Sequence, residues 1–501
     1  MDKDPPETKN LSPEQAGQGV LVRAANGDVI RYDQSGLIMR LSDKVIADIA
    51  DRLDQMKIGG QLEVTAPLRE VSDAPEDALQ DHDVWDVQRR KDWLVFSARL
   101  PGRQGVRRFQ RHIDGGAIIA DAPGPLYGIL GIGGARAAHA FEGPASFPQH
   151  VLAPADDIGS VGYAGIERAI ETEKLEHTRD LTHEALVADT FLSWQMDKYG
   201  PLPLFVARVE TDTSASAEQL SQGAACENLL IAARNLSKAA GALNKKPKIL
   251  AISLSFSLED VISSATEYRD GMLALMRRVE DGLAELGIDH PVFVTRFESG
   301  TSQITEAPVI DAQWELSWNS GDHRLVFSAP SYMFAHDNYD RPTRDALQEM
   351  AEMSAAALTD PLDWRCPVFH LAEFSRASEK PTIRAVAQST ADLTLDVSDP
   401  MGAGPTCGFS IFGATNDVQI TSVDIDQRDA KTLLITLDKA PIGEDLKLAY
   451  AYGALPRESV YAANCGSVRD TWSMTSQTGR LLHRWALPCL LPVREGGGVD
   501  V

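Results

Sequence analysis

SAPSYMFAHDNYDRPTRDALQEMAEMSAAAL, from Ser328 to Leu358, decides how this 501-residue chain is read. A short apolar strand at Leu325–Phe327 runs into a loop carrying Asp337 and Asp340, then Pro342-Thr343, then an Ala/Met-rich helix. Upstream, the same alternation recurs. Leu202–Val209, Ile249–Leu254 and Val292–Phe297 are apolar runs without polar alternation, as in strands buried on both faces. Helical stretches Ala224–Leu243 and Ser264–Leu286 separate them, the second with an apolar stripe through Tyr268, Met272, Leu275, Met276, Val279 and Leu283. Strands alternating with helices of this length predict an α/β fold with a doubly wound parallel sheet.

Beyond this block the pattern changes. Residues 381–501 hold short strand-like runs at Leu393–Val397, Gly408–Gly413, Val418–Ile425, Thr432–Leu437 and Leu446–Tyr452, mostly separated by turn formers, and predict a C-terminal antiparallel β domain. Residues 1–85 predict a small N-terminal anchoring or oligomerisation segment. In it Asn26-Gly27 marks a hairpin, and Ser42 caps a helix whose Val45, Ile46, Ile49, Leu53 and Met56 share one face. Residues 86–200 predict a mixed α/β region, with strands over Trp93–Ile119 and helix over Ile166–Met196; residues 201–380 hold the parallel sheet.

Composition excludes several classes. The net charge of −24 repels phosphate backbones, so nucleic acid is not an expected partner. No run of 18 apolar residues is present, so no membrane insertion is expected, and the polar, charged start lacks the pattern of a signal peptide. Five widely spaced cysteines without a CxxC pair predict free thiols, with no disulfide framework and no zinc site. His183-Glu184 begins an HExxH motif, but Val187 takes the second histidine's place. Gly128–Gly134 (GILGIGG) fails as a dinucleotide fingerprint because Arg136 replaces the third glycine and no clear strand precedes it; it reads as a glycine-rich packed loop. Asp322, Asp337 and Asp340 read as solvated turn formers rather than a calcium site. Arg107, Arg108 and Arg111 read as a solvated strand face. No cofactor and no metal are expected.

In open parallel sheets the ligand crevice lies at the carboxyl ends of the strands. Three loops qualify: Glu210–Ser216 (ETDTSAS), Ser255–Asp260 (SFSLED) and Ser331–Asp340. Their order resembles the SGNH hydrolases, and within them the carbohydrate esterases related to sialate acetylesterases, over about residues 200–360. The later YAYG and NCGSVRD segments resemble the module that often follows such esterases. The resemblance implies a flavodoxin-like parallel sheet with Ser214 as nucleophile, Asp337 as orienting acid and Glu259 as a surviving member of the second block. It also implies a histidine where this chain has Asp340. Without that histidine the base is missing, and His336 is the nearby substitute if the protein is active. An aspartate at an unperturbed pKa of about 3.9 does not replace an imidazole at about 6.5.

These readings predict a carbohydrate-binding protein rather than a hydrolase, using Glu259, Trp314, Trp318, Tyr332, Tyr339 and Asp340, with Phe334 nearby, to hold sugar. The layout resembles the receptor-binding spikes or fibres of phages and gene transfer agents. That resemblance implies a homo-oligomer, a phage-like capsid or spike-base protein bound through the N-terminus, and cell-surface polysaccharide as the target. It also implies synthesis in the cytoplasm and action outside the cell on a particle surface. The alternative is an active O-acetylesterase using Ser214, His336 and Asp337.

Overall fold

The computed structural model describes residues 84–496 apart from 165–166 and 376–379, together with Leu79 and the backbone of residues 19–24, 27–33 and 36–39. The chain divides into two compact units, residues 1–73 and 74–501. In the first, β1 (Gly19–Ala24), β2 (Gly27–Asp33) and β3 (Gly36–Met39) form an antiparallel sheet. Ala24 pairs with Gly27, so β1 and β2 form the hairpin that Asn26-Gly27 predicts. The helix expected at residues 42–56 lies outside the described residues.

The second unit opens with an antiparallel meander of β4 (Val84–Arg90), β5 (Trp93–Arg99), β6 (Val106–His112) and β7 (Ile119–Ala120). Next come β8 (Leu126–Gly133), β9 (Phe141–Glu142), β10 (Val151–Pro154), β11 (Leu175–His177) and β12 (Asp180–Leu181), with β9 pairing β12 alone. Strands then alternate with helices: α1 (His183–Asp197), β13 (Leu204–Thr211), α2 (Ala217–Gln222), α3 (Ala224–Ala242), β14 (Pro247–Ser255), α4 (Ala265–Glu285), β15 (Val292–Phe297), α5 (Pro308–Trp318), β16 (Leu325–Pro330) and α6 (Arg344–Thr359). One mixed sheet runs in the order β11-β10-β13-β8-β14-β15-β16, with β11 antiparallel at its edge. A second seven-stranded sheet is built from β17 (Val368–Ser375), β18 (Thr382–Gln388), β20 (Phe409–Phe412), β21 (Ile420–Asp426), β22 (Asp429–Leu437), β23 (Lys447–Tyr450) and β26 (Cys489–Glu495). Between these in sequence, β19 (Leu393–Leu395), β24 (Val468–Thr475) and β25 (Leu481–Trp485) form a separate antiparallel sheet.

The expected doubly wound parallel α/β fold with an antiparallel appendage is therefore corrected. Strand exceeds helix, 33% against 23%, over several mixed and antiparallel sheets. The C-terminal sheet is also mixed, because β17 and β26 run parallel. The main cause of the misreading is β8. Its glycines read as a loop, yet it is the central strand of the mixed sheet, hydrogen-bonded to β13 and β14 along its whole length. Glycine is needed there because both faces are closely covered. A Cβ on Gly128 would lie 2.6 Å from Leu236 of α3, and one on Gly131 would lie 2.3 Å from Glu184 of α1. Residues 167–182, expected to be helical, hold β11 and β12 instead; the helix begins only at His183, where the Thr182 side chain accepts from the Ala185 N–H.

Local signals elsewhere correspond closely to the elements. Ser264 and Glu267 form a capping box at the start of α4, and Thr343 caps α6. The expected apolar stripe of α4 is buried. One continuous apolar core runs from Ile129 of β8 through Ala185 and Met350 to Leu448 and Leu491 of the C-terminal sheet. The five cysteines are free.

Candidate functional site

The carboxyl ends of β8, β14, β15 and β16 converge on one crevice. The crevice is partly enclosed and holds about 770 Å³ of empty space, counted out to its open mouth.

Arg136, just beyond β8, organises the crevice. Its Nε donates to Glu259 Oε1 (3.2 Å), while Nη2 donates to Glu259 Oε2 (3.2 Å), Glu298 Oε2 (2.9 Å) and Ser257 Oγ (2.6 Å). The Arg136 backbone N–H also donates to Glu259 Oε1. Glu298 is fully engaged. Its Oε1 accepts from the Ser299 and Gly300 N–H groups (2.8 Å each), and its Oε2 also accepts from Ser257 Oγ (2.6 Å). Burial works against the charge on Glu298, but Arg136 and these donors hold its carboxyl below the usual range. Burial likewise opposes the charge on Arg136, and the two glutamates outweigh it, raising its basicity. The glycines make room: a Cβ on Gly133 would lie 2.1 Å from the Ser255 carbonyl oxygen, and one on Gly134 would lie 2.6 Å from Glu259 Cγ. The network remains accessible, because the Arg136 side chain is 36% exposed.

The sequence-selected residues divide between this crevice and other places. Glu259, His336 and Asp340 line it. The His336 N–H donates to the Val460 carbonyl (2.7 Å), and its ring has no hydrogen-bond partner among the described residues. Burial lowers the pKa of that ring, so the imidazole is neutral near pH 7. Asp340 occupies the left-handed region (φ 55°), which Asp tolerates better than most residues. Asp337 instead organises the loop. It accepts from the Tyr339 N–H (2.8 Å), the Arg341 N–H (3.0 Å) and the Arg341 guanidinium (2.9 and 3.1 Å). Burial opposes its charge, yet the Arg341 and Tyr339 donors together outweigh it and bring its pKa down to about 2.

Ser214 is elsewhere. It is exposed, its N–H and Oγ both donate to Asp212 Oδ1 (3.0 and 3.2 Å), and it lines a shallow depression with Ala215, Gln219 and Gly223. The structure therefore does not bring Ser214 to His336, and Asp337 is committed to Arg341. The expected aromatic rim is also corrected. Tyr332 and Phe334 are fully buried, and the Tyr332 hydroxyl donates to the Ala486 carbonyl (2.7 Å). Trp314 and Trp318 pack edge to face at 5.9 Å in a separate depression beside Arg269. Tyr339 is 78% exposed, with the Arg341 guanidinium over its ring at 5.0 Å, but it does not line the crevice. Asp322 is exposed, and no group of side chains among the described residues is arranged to hold a metal.

Arg136, Ser257, Arg296 and Glu298 escaped the sequence reading. The available signal was glycine. Gly134 before Arg136 marks backbone brought close to the Glu259 side chain, while Gly133 and Gly300 mark close approaches to the backbone of Ser255 and Ile304.

No family model and no curated protein matches this chain. Among solved structures, the N-terminal part of the bacterial S-layer protein SbsC aligns at 14% identity, over 31% of this chain and 29% of that one, with a TM-score of 0.17. At that score it carries no argument about fold or function. No helix among the described residues is long and apolar enough to cross a membrane.

Proposed function

We propose that this protein is a carbohydrate-binding adhesin or spike protein that recognises cell-surface polysaccharide in the Arg136 crevice without hydrolysing it. The observation that carries this reading is the composition of the crevice. Fixed guanidinium donors and carboxylate acceptors line it, while the one histidine there has no hydroxyl hydrogen-bonded to it among the described residues. Arg–carboxylate networks recognise sugar hydroxyls through paired donors and acceptors whose positions are already set. A serine nucleophile needs its base within hydrogen-bond reach, and Ser214 lines a different depression.

The Glu259 and Asp340 segments, which carry part of the esterase resemblance, both contribute to the crevice; the Ser214 segment does not. An SGNH-derived binding site that has lost its acyl-transfer chemistry accounts for that distribution. A separate N-terminal unit of residues 1–73 is consistent with attachment to a phage-like particle through that end.

The test is a surface-retention assay with intact capsule or lipopolysaccharide, run beside an acetyl-ester turnover assay. Retention without turnover is expected. Turnover abolished by Ser214→Ala would overturn the reading. Deleting residues 1–60 is expected to abolish particle attachment and to leave glycan retention intact.

A further inference from the structure

The crevice contains a second arginine that the network above does not use. Arg296, on β15, lines the crevice with Thr295, Ser255 and Arg136. Unlike Arg136, its guanidinium has no hydrogen bond and no ion pair among the described residues. Three carboxyl groups, Glu298, Glu184 and Glu259, act on it only through space. Burial and the charge of Arg136 both lower its basicity. Glu298 is already saturated by four donors, and Glu259 is engaged by Arg136 and by the Ser257 N–H. Glu184 is buried, and that burial raises its pKa to about 7, so it is only a partial counter-charge near neutral pH. Arg296 is half-buried and faces the crevice, so its guanidinium is open to a partner that enters there.

The geometry of the guanidinium limits what that partner can be, since Arg296 reaches the crevice beside Arg136 and Ser255. A planar guanidinium fork matches a planar carboxylate or a sulfate oxygen pair better than a single hydroxyl.

We propose that Arg296 is the docking point for an oxyanionic group on the bound saccharide, so that the ligand is an acidic glycan. This rests on the binding reading above and narrows it to a ligand class.

The experiment is direct binding by calorimetry with matched pairs of probes. Glucuronate and galacturonate are compared with glucose and galactose, N-acetylneuraminate with N-acetylglucosamine, and glucose 6-sulfate with glucose. The wild type is expected to bind at least one acidic probe tenfold or more tightly than its neutral counterpart. Arg296→Gln is expected to lose that preference, and Arg296→Lys to retain part of it. A preference confined to the sulfated probe assigns the group as sulfate; one confined to the carboxylates assigns a sugar acid. Equal binding of acidic and neutral probes by the wild type, or a preference that survives in Arg296→Gln, overturns the inference and leaves the carbohydrate-binding reading standing. Binding of no saccharide by the wild type overturns both. Thermal melting of each variant separates loss of binding from loss of fold.

Discussion

Two arginines in the second unit each stand between two carboxylates, and they have opposite fates. Arg208 on β13 donates through Nε to Glu210 (2.7 Å) and through Nη1 to Asp156 (3.2 Å) and the Gly159 carbonyl (2.6 Å). All three side chains of that cluster are sealed, at 1% exposure or less. Arg136 makes a similar set of bonds to Glu259 and Glu298 but leaves 36% of its side chain open on a crevice. An Arg–carboxylate triad therefore does not identify a binding site by itself. What separates the two is exposure: the Arg136 side chain opens on the crevice, and the Arg208 cluster is sealed.

The largest expected effect comes from breaking the sealed member. Arg208→Met leaves Asp156 and Glu210 buried without a cation, and burial already holds the Glu210 carboxyl above its usual range despite Arg208. Removing one partner of a buried network costs about 3–5 kcal/mol. The urea midpoint of Arg208→Met should fall accordingly, with glycan binding unchanged at temperatures where the protein is folded.

A second prediction uses pH. Burial raises the Glu184 carboxyl from 4.5 to about 7, against weaker opposing contributions from its own N–H, Thr182, Ser253 and Arg296. Its contribution to stability is therefore fully present below about pH 4.5 and is lost as pH rises through 7. The shift corresponds to about 3 kcal/mol over that window. Urea midpoints from pH 5 to 8 should decline in the wild type and decline less in Glu184→Gln. Equal slopes would show that Glu184 does not carry the effect.

The difference between the two triads also explains what was legible in the sequence. Strands buried on both faces show in the sequence as apolar runs: Val292–Phe297 coincides with its strand, and the runs at β13 and β14 differ from theirs by no more than two residues at either end. The helices followed from their caps and stripes. What was hidden was β8, because its function is to let α1, α3 and β14 approach closely, and glycine signals approach without signalling strand. Taking β8 for a loop misplaces the centre of the sheet and puts the expected nucleophile one strand away, at Ser214. Glu259 and Asp340 could be found because they follow strands in sequence. Tyr332 could not be separated from a rim residue, since a buried tyrosine and an exposed one look alike until Ala486, 154 residues later, supplies the acceptor.

The smallest expected effect is at that depression. Ser214 is exposed and bonded only locally to Asp212, so Ser214→Ala should change stability by no more than about 0.5 kcal/mol. Glycan retention should be unaffected.

The most direct test of the open triad is glycan retention by the wild type and Arg136→Met, measured side by side on the same polysaccharide. Glu298 keeps its Ser257, Ser299 and Gly300 donors in the variant, so the fold should survive with a loss of about 1–3 kcal/mol. The predicted result is a folded variant whose retention falls at least tenfold. A folded variant that retains polysaccharide as well as the wild type would contradict the assignment of the crevice as the binding site.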